Sequence, residues 1–291
     1  MADPTKRVFT PATINDLFST WNSVRDAVLC AGGITQSSRQ GGGILDAGRN
    51  IISLDKMEEL RRIRRTERYL EIGSMVKLSQ IMNLGKIVPE VVTRCLEHLA
   101  SPQLRNQATL GGNICYPDRR LDLSGPMIAL DAQYELRTAQ SARWIPAFRF
   151  SSHPAQLSLA PQELLTRIRI PLEPWLYTWY RKVNNSGPNR PGGGILCIMR
   201  NQKDILTDIR FVYSDEVILR VKNSESMLAG KHLPLENKDK RAFAEVWESY
   251  LDSTEHQENS ILLEKKGSLG YELIKAQIIQ FIEATLLHIS D

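Results

Sequence analysis

Apolar and polar positions along the chain repeat with two different periods, and each period predicts an element. From Val88 to Leu99 the apolar residues Val88, Val91, Val92, Cys95, Leu96 and Leu99 fall at i, i+3, i+4, i+7, i+8 and i+11, which predicts one helix with one buried face. Leu17, Trp21 and Val24 recur at helical spacing after "TIND", where Thr13 or Asn15 can cap, and that helix should end before "VLCAGG". A short strand is expected from Val28 to Ala31, running into a Gly-Gly turn. "NIISL" and "YLEIG" read as further strands, the second setting Leu70 and Ile72 against Glu71. "QYELRT" and "LLTRIRIP" alternate as well, with Thr166, Ile168 and Ile170 opposite Arg167 and Arg169. Farther on, "DILTDIRFVY" places Ile205, Thr207, Ile209, Phe211 and Tyr213 on one strand face, and a helix is expected from Leu273 to Leu287. The mixture is α+β.

The pattern is interrupted at "IPLEPWLYTWY", where Pro171 and Pro174 cannot serve a central strand's ladder. A boundary is expected there, giving units of 1–174 and 175–291, the second with strands first and helices last. No internal repeat is visible. "GPNRPGGG", Gly187 to Gly194, reads as a long loop that needs mobility or a close backbone approach.

Composition narrows the class. The 291 residues are 42% hydrophobic and 24% charged, near the average for globular chains, so disordered and fibrous classes drop out. The net charge of +4 is dispersed among nearly as many carboxylates, and the densest basic cluster, Arg61-Arg62-Ile63-Arg64-Arg65, is short. That argues against nucleic acid as a partner. Cys30, Cys95, Cys115 and Cys197 are too far apart in sequence for a CxxC metal pair or a small disulfide framework. The N-terminus shows no secretory signal, and no apolar run approaches the roughly 18 residues of a membrane span. The expected location is the cytoplasm.

Candidate chemistry concentrates in two Gly-Gly segments, "LCAGGIT" (Leu29 to Thr35) and "ATLGGN" (Ala108 to Asn113). Glycine lets a backbone approach a ligand without a Cβ in the way, and lets successive N–H groups converge into an anion-binding nest. Two such loops suit the pyrophosphate of a dinucleotide. Neither is a P-loop and neither has GxGxxG spacing; taken alone, each is also an ordinary turn.

The string "SPQLRNQATLGGNIC", followed by Asp122 and "PMIALDA", closely resembles the FAD-binding subunit or domain of the xanthine dehydrogenase family of molybdenum hydroxylases, which includes the carbon monoxide dehydrogenase medium subunit. "AGG" at Ala31 to Gly33, "ELLTRIRIP", and "YRKV" followed later by "MLAGK" resemble three further segments of that family. The resemblance runs from about Phe9 to the tail. It implies a two-lobed FAD-binding domain (vanillyl-alcohol-oxidase/PCMH-like), followed by a smaller C-terminal domain with an antiparallel sheet and helices, with FAD between the two lobes. It further implies that Leu29, Cys30, Ala31, Gly32, Gly33, Ile34, Thr35 and Gln36 form the loop that wraps the pyrophosphate, and that Thr109, Leu110, Gly111, Gly112 and Asn113 form the second. Asp122 falls where the family places an acid on the adenosine half, although an exposed loop acid would look the same. Leu164 matches a contact in the domain-closing strand, or is a core leucine. Lys182 matches a lysine beside the isoalloxazine, or is a surface lysine.

Two segments depart from the family pattern. The first loop commonly continues as Gly-Gly-Thr-Asp, whereas here Gly33 is followed by "ITQSSRQGGG"; Thr35 replaces the lost hydroxyl one position later. The C-terminal motif often reads YRKVG with an arginine close behind, whereas here Asn184, Asn185 and Ser186 follow, and Arg190 comes later.

The implied activity is electron relay. A molybdopterin-containing large subunit oxidises the substrate, a 2Fe-2S small subunit passes electrons singly, and the flavin subunit hands them to an acceptor such as NAD. No catalytic side chain and no metal ligand is expected in this chain, whose five histidines are scattered. Two alternatives stay open: a flavin-free structural or assembly subunit of such a complex, and a stand-alone FAD oxidoreductase.

Overall fold

The computed structural model describes residues 7–24, 26–34, 50–116, 122–151, 157–183, 193–253 and 255–289. It is built as three sheets with helices between and behind them. The first sheet is parallel, β1 (Val8–Phe9), β2 (Val28–Cys30) and β3 (Ile51–Ser53) in the order β1-β3-β2. Helix α1 (Ile14–Ser23) covers it. Of the two candidate caps Thr13 is the one used, its Oγ1 accepting from the Asp16 N–H at 3.2 Å, and the helix sends Ile14, Leu17 and Phe18 into a core shared with Ile52 and Met57.

The second sheet is antiparallel: β4 (Ile63–Arg65), β5 (Tyr69–Gly73), β6 (Gln133–Arg137), β7 (Ala142–Pro146) and β8 (Leu164–Pro171), in the order β4-β5-β8-β6-β7. The expected alternation in β5 and β8 is realised. Leu70, Ile72, Ile168 and Ile170 face a core closed by α2 (Leu78–Asn83), α3 (Glu90–His98), α5 (Leu110–Ile114), α6 (Ser124–Ala129) and α7 (Ala147–Ser151), while α4 (Pro102–Gln107) buries no side chain. Each such fully buried branched side chain contributes about 2 kcal/mol. On the opposite face Arg169 pairs with Glu71 at 2.7 Å and stacks over Trp144 at 4.0 Å, while Arg167 pairs with Glu135 at 2.5 Å. The arginines of "LLTRIRIP" are themselves partly exposed and cover two buried carboxylates, which they neutralise.

The third sheet, β9 (Tyr177–Lys182), β10 (Gly194–Gln202), β11 (Ile205–Ser214) and β12 (Ile218–Leu219), is antiparallel in the order β12-β11-β10-β9. Both of its faces are buried. Leu196, Ile198 and Val212 join the core of the second sheet. Ile195, Cys197, Met199, Phe211 and Tyr213 face α8 (Lys222–Leu228), α9 (Asn237–Asp252) and α10 (Gln257–His288). Arg210 and Arg220 tie this layer to α6, donating to the carbonyls of Ala129 at 2.5 Å and Ile128 at 3.1 Å.

Two sequence expectations are corrected here. Ile205 and Thr207 do not share a face with Ile209, Phe211 and Tyr213. The register shifts between Arg200↔Asp208 and Asn201↔Leu206, leaving Thr207 as the extra residue of a β-bulge; beyond it Leu206 turns inward, while Ile205 and Thr207 are exposed. The last helix also starts before Leu273: α10 is two helical stretches joined across a kink at Gly267, whose φ of 74° only glycine adopts without strain, and the second stretch runs on to His288.

Candidate functional site

The two Gly-Gly segments, nearly eighty residues apart in the chain, lie against each other. The first, Ala31-Gly32-Gly33, leaves the end of β2; Gly33 turns the chain with φ +71°. A Cβ on Gly32 would stand 2.3 Å from the Gln107 carbonyl oxygen, so only glycine allows this approach to the residues that lead into the second segment. A Cβ on Gly112 would lie 3.8 Å from the Ala31 Cβ. The segments thus form one seam between the first and second sheets.

Their hydrogen bonding differs. In the second segment the Leu110 N–H donates to the Val76 carbonyl at 3.0 Å and that of Gly111 to Ser74 at 2.8 Å. Gly112 donates to Thr109 Oγ1 at 3.1 Å, and Asn113 to the Thr109 carbonyl at 3.0 Å. All four donors are engaged inside the protein. Leu110 also buries its side chain in the main core, and Gly111 leaves no room for a Cβ against Ser74, whose Cβ would be 2.6 Å away. What this segment presents outward is the exposed Gly112. In the first segment, among the described residues, the N–H groups of Ala31, Gly32 and Gly33 donate to no acceptor. Three successive unpaired donors on a glycine turn are the kind of backbone group that an anion can engage.

The remaining expected residues divide into two places. Asp122, 8% exposed, forms an ion pair through Oδ1 with Lys182 of β9, and the Tyr180 hydroxyl lies 3.5 Å from the same oxygen. Its carbonyl accepts from Cys95 Sγ at 3.3 Å. Asn113 Oδ1 accepts from the Leu123 N–H at 3.4 Å, which joins the second Gly-Gly segment to Asp122. Asp122 and Lys182, expected at separate parts of the cofactor, are thus paired with each other in this structure. Leu164 is elsewhere: 5% exposed, it packs in the core beneath the first sheet. Leu29 and Cys30 lie on β2 and Ile34 follows the turn. Thr35 and Gln36, like Asn184, Asn185, Ser186 and Arg190, lie outside the described residues.

Sequence reasoning did not single out Lys77 and Tyr180. Lys77 forms an antiparallel bridge with Thr109 and donates its Nζ to the Gln107 carbonyl at 2.9 Å. A lone lysine before a short helix carries no signal of its own; only that pairing marks it.

The site's chemistry is recognition rather than nucleophilic attack. Burial pushes the thiols of Cys95 and Cys115 up to about 12, and burial, then Asp55, raises that of Cys30. None supplies thiolate near neutrality. Among the described residues no group of three or more His, Cys, Asp or Glu side chains could hold a metal ion, and no helix is long and apolar enough to cross a membrane.

Residues 4–173 match the family described as the FAD binding domain in molybdopterin dehydrogenase. The chain is 27% identical over 244 residues to the nicotine 6-hydroxylase medium subunit of Paenarthrobacter nicotinovorans, covering 79% of this chain and 82% of that one. It is 31% identical over 132 residues to the xanthine dehydrogenase FAD-binding subunit of Escherichia coli O157:H7, covering 44% of this chain and 45% of that one. Among solved structures it resembles a chain of the carbon monoxide dehydrogenase of Hydrogenophaga pseudoflava, with a TM-score of 0.80 and 21% identity over 100% of this chain and 98% of that one. A chain of the reconstituted CO dehydrogenase of Oligotropha carboxidovorans gives a TM-score of 0.81 at 18% identity, over 100% and 99%. The three-sheet arrangement is thus the fold of those chains.

Proposed function

Because the chain belongs to the family of FAD-binding domains of molybdopterin dehydrogenases, we propose that it is the flavin-carrying medium subunit of a three-part molybdenum hydroxylase. In this reading its partners are a 2Fe-2S small subunit and a molybdopterin-containing large subunit, and its acceptor is NAD or another soluble oxidant. The observation that carries the reading is the seam: three unpaired N–H groups at Ala31, Gly32 and Gly33, set against a second Gly-Gly segment at an approach to Gln107 that Gly32 alone permits. These residues fit a diphosphate, which needs several converging donors and a close backbone approach.

Ala31, Gly32 and Gly33 would donate to the diphosphate, and Gly112 would let it lie against the second segment. Asp122 would accept from the hydroxyls or amine of the adenosine half through Oδ2, since Oδ1 faces Lys182 and Tyr180. For Lys182 to serve the flavin edge, it must leave Asp122 when the cofactor enters. Bound FAD supplies the two-electron reservoir that lets single-electron donors feed a pairwise acceptor. The protein's part is to bind, orient and tune.

Purification of the chain from its native host tests this. Heat extraction should release FAD and not FMN, and subunits containing iron–sulfur and molybdopterin groups should come down with it. No flavin even after reconstitution with excess FAD would leave a scaffold subunit; flavin without partner subunits would leave a stand-alone oxidoreductase.

A further inference from the structure

The diphosphate of a dinucleotide carries two negative charges, while the first Gly-Gly segment offers dipoles only and the second has its N–H groups engaged. Among the described residues of the two segments, no charged side chain faces that diphosphate. Lys77 stands beside them. Its backbone bridges Thr109, and its neighbour Leu78 donates to the Ala108 carbonyl at 3.0 Å, so its Cα is fixed to the second segment. Its Nζ donates at 2.9 Å to the Gln107 carbonyl, the oxygen that Gly32 approaches so closely. The ammonium thus stands on the carbonyl that Gly32 packs against, one residue before the second segment.

Its other N–H groups have no carboxylate within ion-pair distance among the described residues; the neighbouring Arg61 holds Asp55 at 2.6 Å. Burial first, then Arg61, lowers the proton affinity of Lys77. A half-sheltered cation whose hydrogen-bonding partner is a neutral carbonyl is placed to take an anion.

We propose that Lys77 supplies the positive charge for the FAD diphosphate, bridging the two Gly-Gly segments through the Gln107 carbonyl. The proposal rests on the FAD reading above. It adds a charged contact, from the residue before α2, to the backbone donors of Ala31, Gly32 and Gly33.

The test uses the full chain stripped of flavin, titrated with FAD and followed by quenching of flavin fluorescence at low and high salt. Lys77→Gln removes the charge but keeps a donor for the Gln107 carbonyl; Lys77→Arg keeps both. Lys77→Gln should weaken FAD binding about tenfold or more, the fold-change of a charge-assisted hydrogen bond, and should flatten the salt dependence. Its flavin-free Tm should stay at the parent value, and Lys77→Arg should restore most of the affinity. Inorganic pyrophosphate should compete with FAD on the parent and about tenfold less well on Lys77→Gln. Unchanged affinity and salt dependence in Lys77→Gln, with the parent binding FAD, overturns the role of Lys77 alone. A fall in affinity matched by loss of the flavin-free fold in both variants overturns it too, leaving Lys77 a structural strut. A parent that binds no FAD removes the underlying reading, and this proposal with it.

Discussion

Replacing Gly32 by alanine probes the seam most directly. The added Cβ would stand 2.3 Å from the Gln107 oxygen and 3.1 Å from its carbon, both backbone atoms, where ordinary contact begins at 3.4 Å. The segments must separate by about 1 Å, since neither partner is a side chain that can rotate away. Overpacking of this kind costs roughly 1–3 kcal/mol, and for a chain of this size each kcal/mol lowers Tm by about 2–4 °C. Differential scanning calorimetry of the flavin-free protein should show that fall. FAD affinity should drop further than stability, at least about tenfold, because a diphosphate gripped from two sides loses one of them. Gly85→Ala is the control. Gly85 has φ +61° with nothing within 4 Å of its would-be Cβ, so it should show only the roughly 1–2 kcal/mol of left-handed strain and parental FAD binding. A Gly32→Ala protein with parental Tm and parental FAD affinity would refute the close approach of the two segments.

Three further outcomes are expected. Asp122→Asn should cost about 1–3 kcal/mol by leaving Lys182 without its carboxylate, and adding Lys182→Met should recover part of it in a double-mutant cycle read by urea unfolding. Arg220→Met should destabilise by about 3–5 kcal/mol, because Arg220 neutralises the buried Glu225 at 2.9 Å and holds the Ile128 carbonyl; Glu225→Gln in the same protein should restore some stability, measured the same way. Glu163→Gln should flatten the acid limb of stability. The Arg143 guanidinium holds Glu163 below its ordinary value of 4.5, despite burial, so the contribution is present above that value and is lost as pH falls below it; with Arg143 half exposed it amounts to about 1 kcal/mol or less.

Much of the fold was legible because its elements have one buried face. Val91, Val92, Cys95 and Leu96 in α3, and Ile168 and Ile170 in β8, announce helix and strand by period alone. The bulge at Thr207 was not legible, since two residues opposing one leave no mark in composition. The first half of α10 was hidden for another reason: Gly267 breaks its phase, so the apolar residues on the two sides do not share one period. At the candidate site the glycines were readable as glycines, but not what each one approaches. Gly111 approaches Ser74 and Gly32 approaches Gln107, both relations between distant strands and loops. Likewise the pairing of Asp122 with Lys182, sixty residues apart, depends on where β9 is laid against α3.

The third sheet gives Leu196, Ile198 and Val212 to one core and Ile195, Cys197 and Phe211 to another, and so it is common property of both halves of the chain. The family match ends at residue 173, yet the interior of the matched part continues into strands beyond it. A fragment cut at that point would expose a sheet-sized apolar wall, and is expected to aggregate rather than fold. Heat should correspondingly find no weak joint: the halves would melt in a single cooperative step, so a disturbance among the C-terminal helices reaches the flavin-binding part as lost stability without touching the seam.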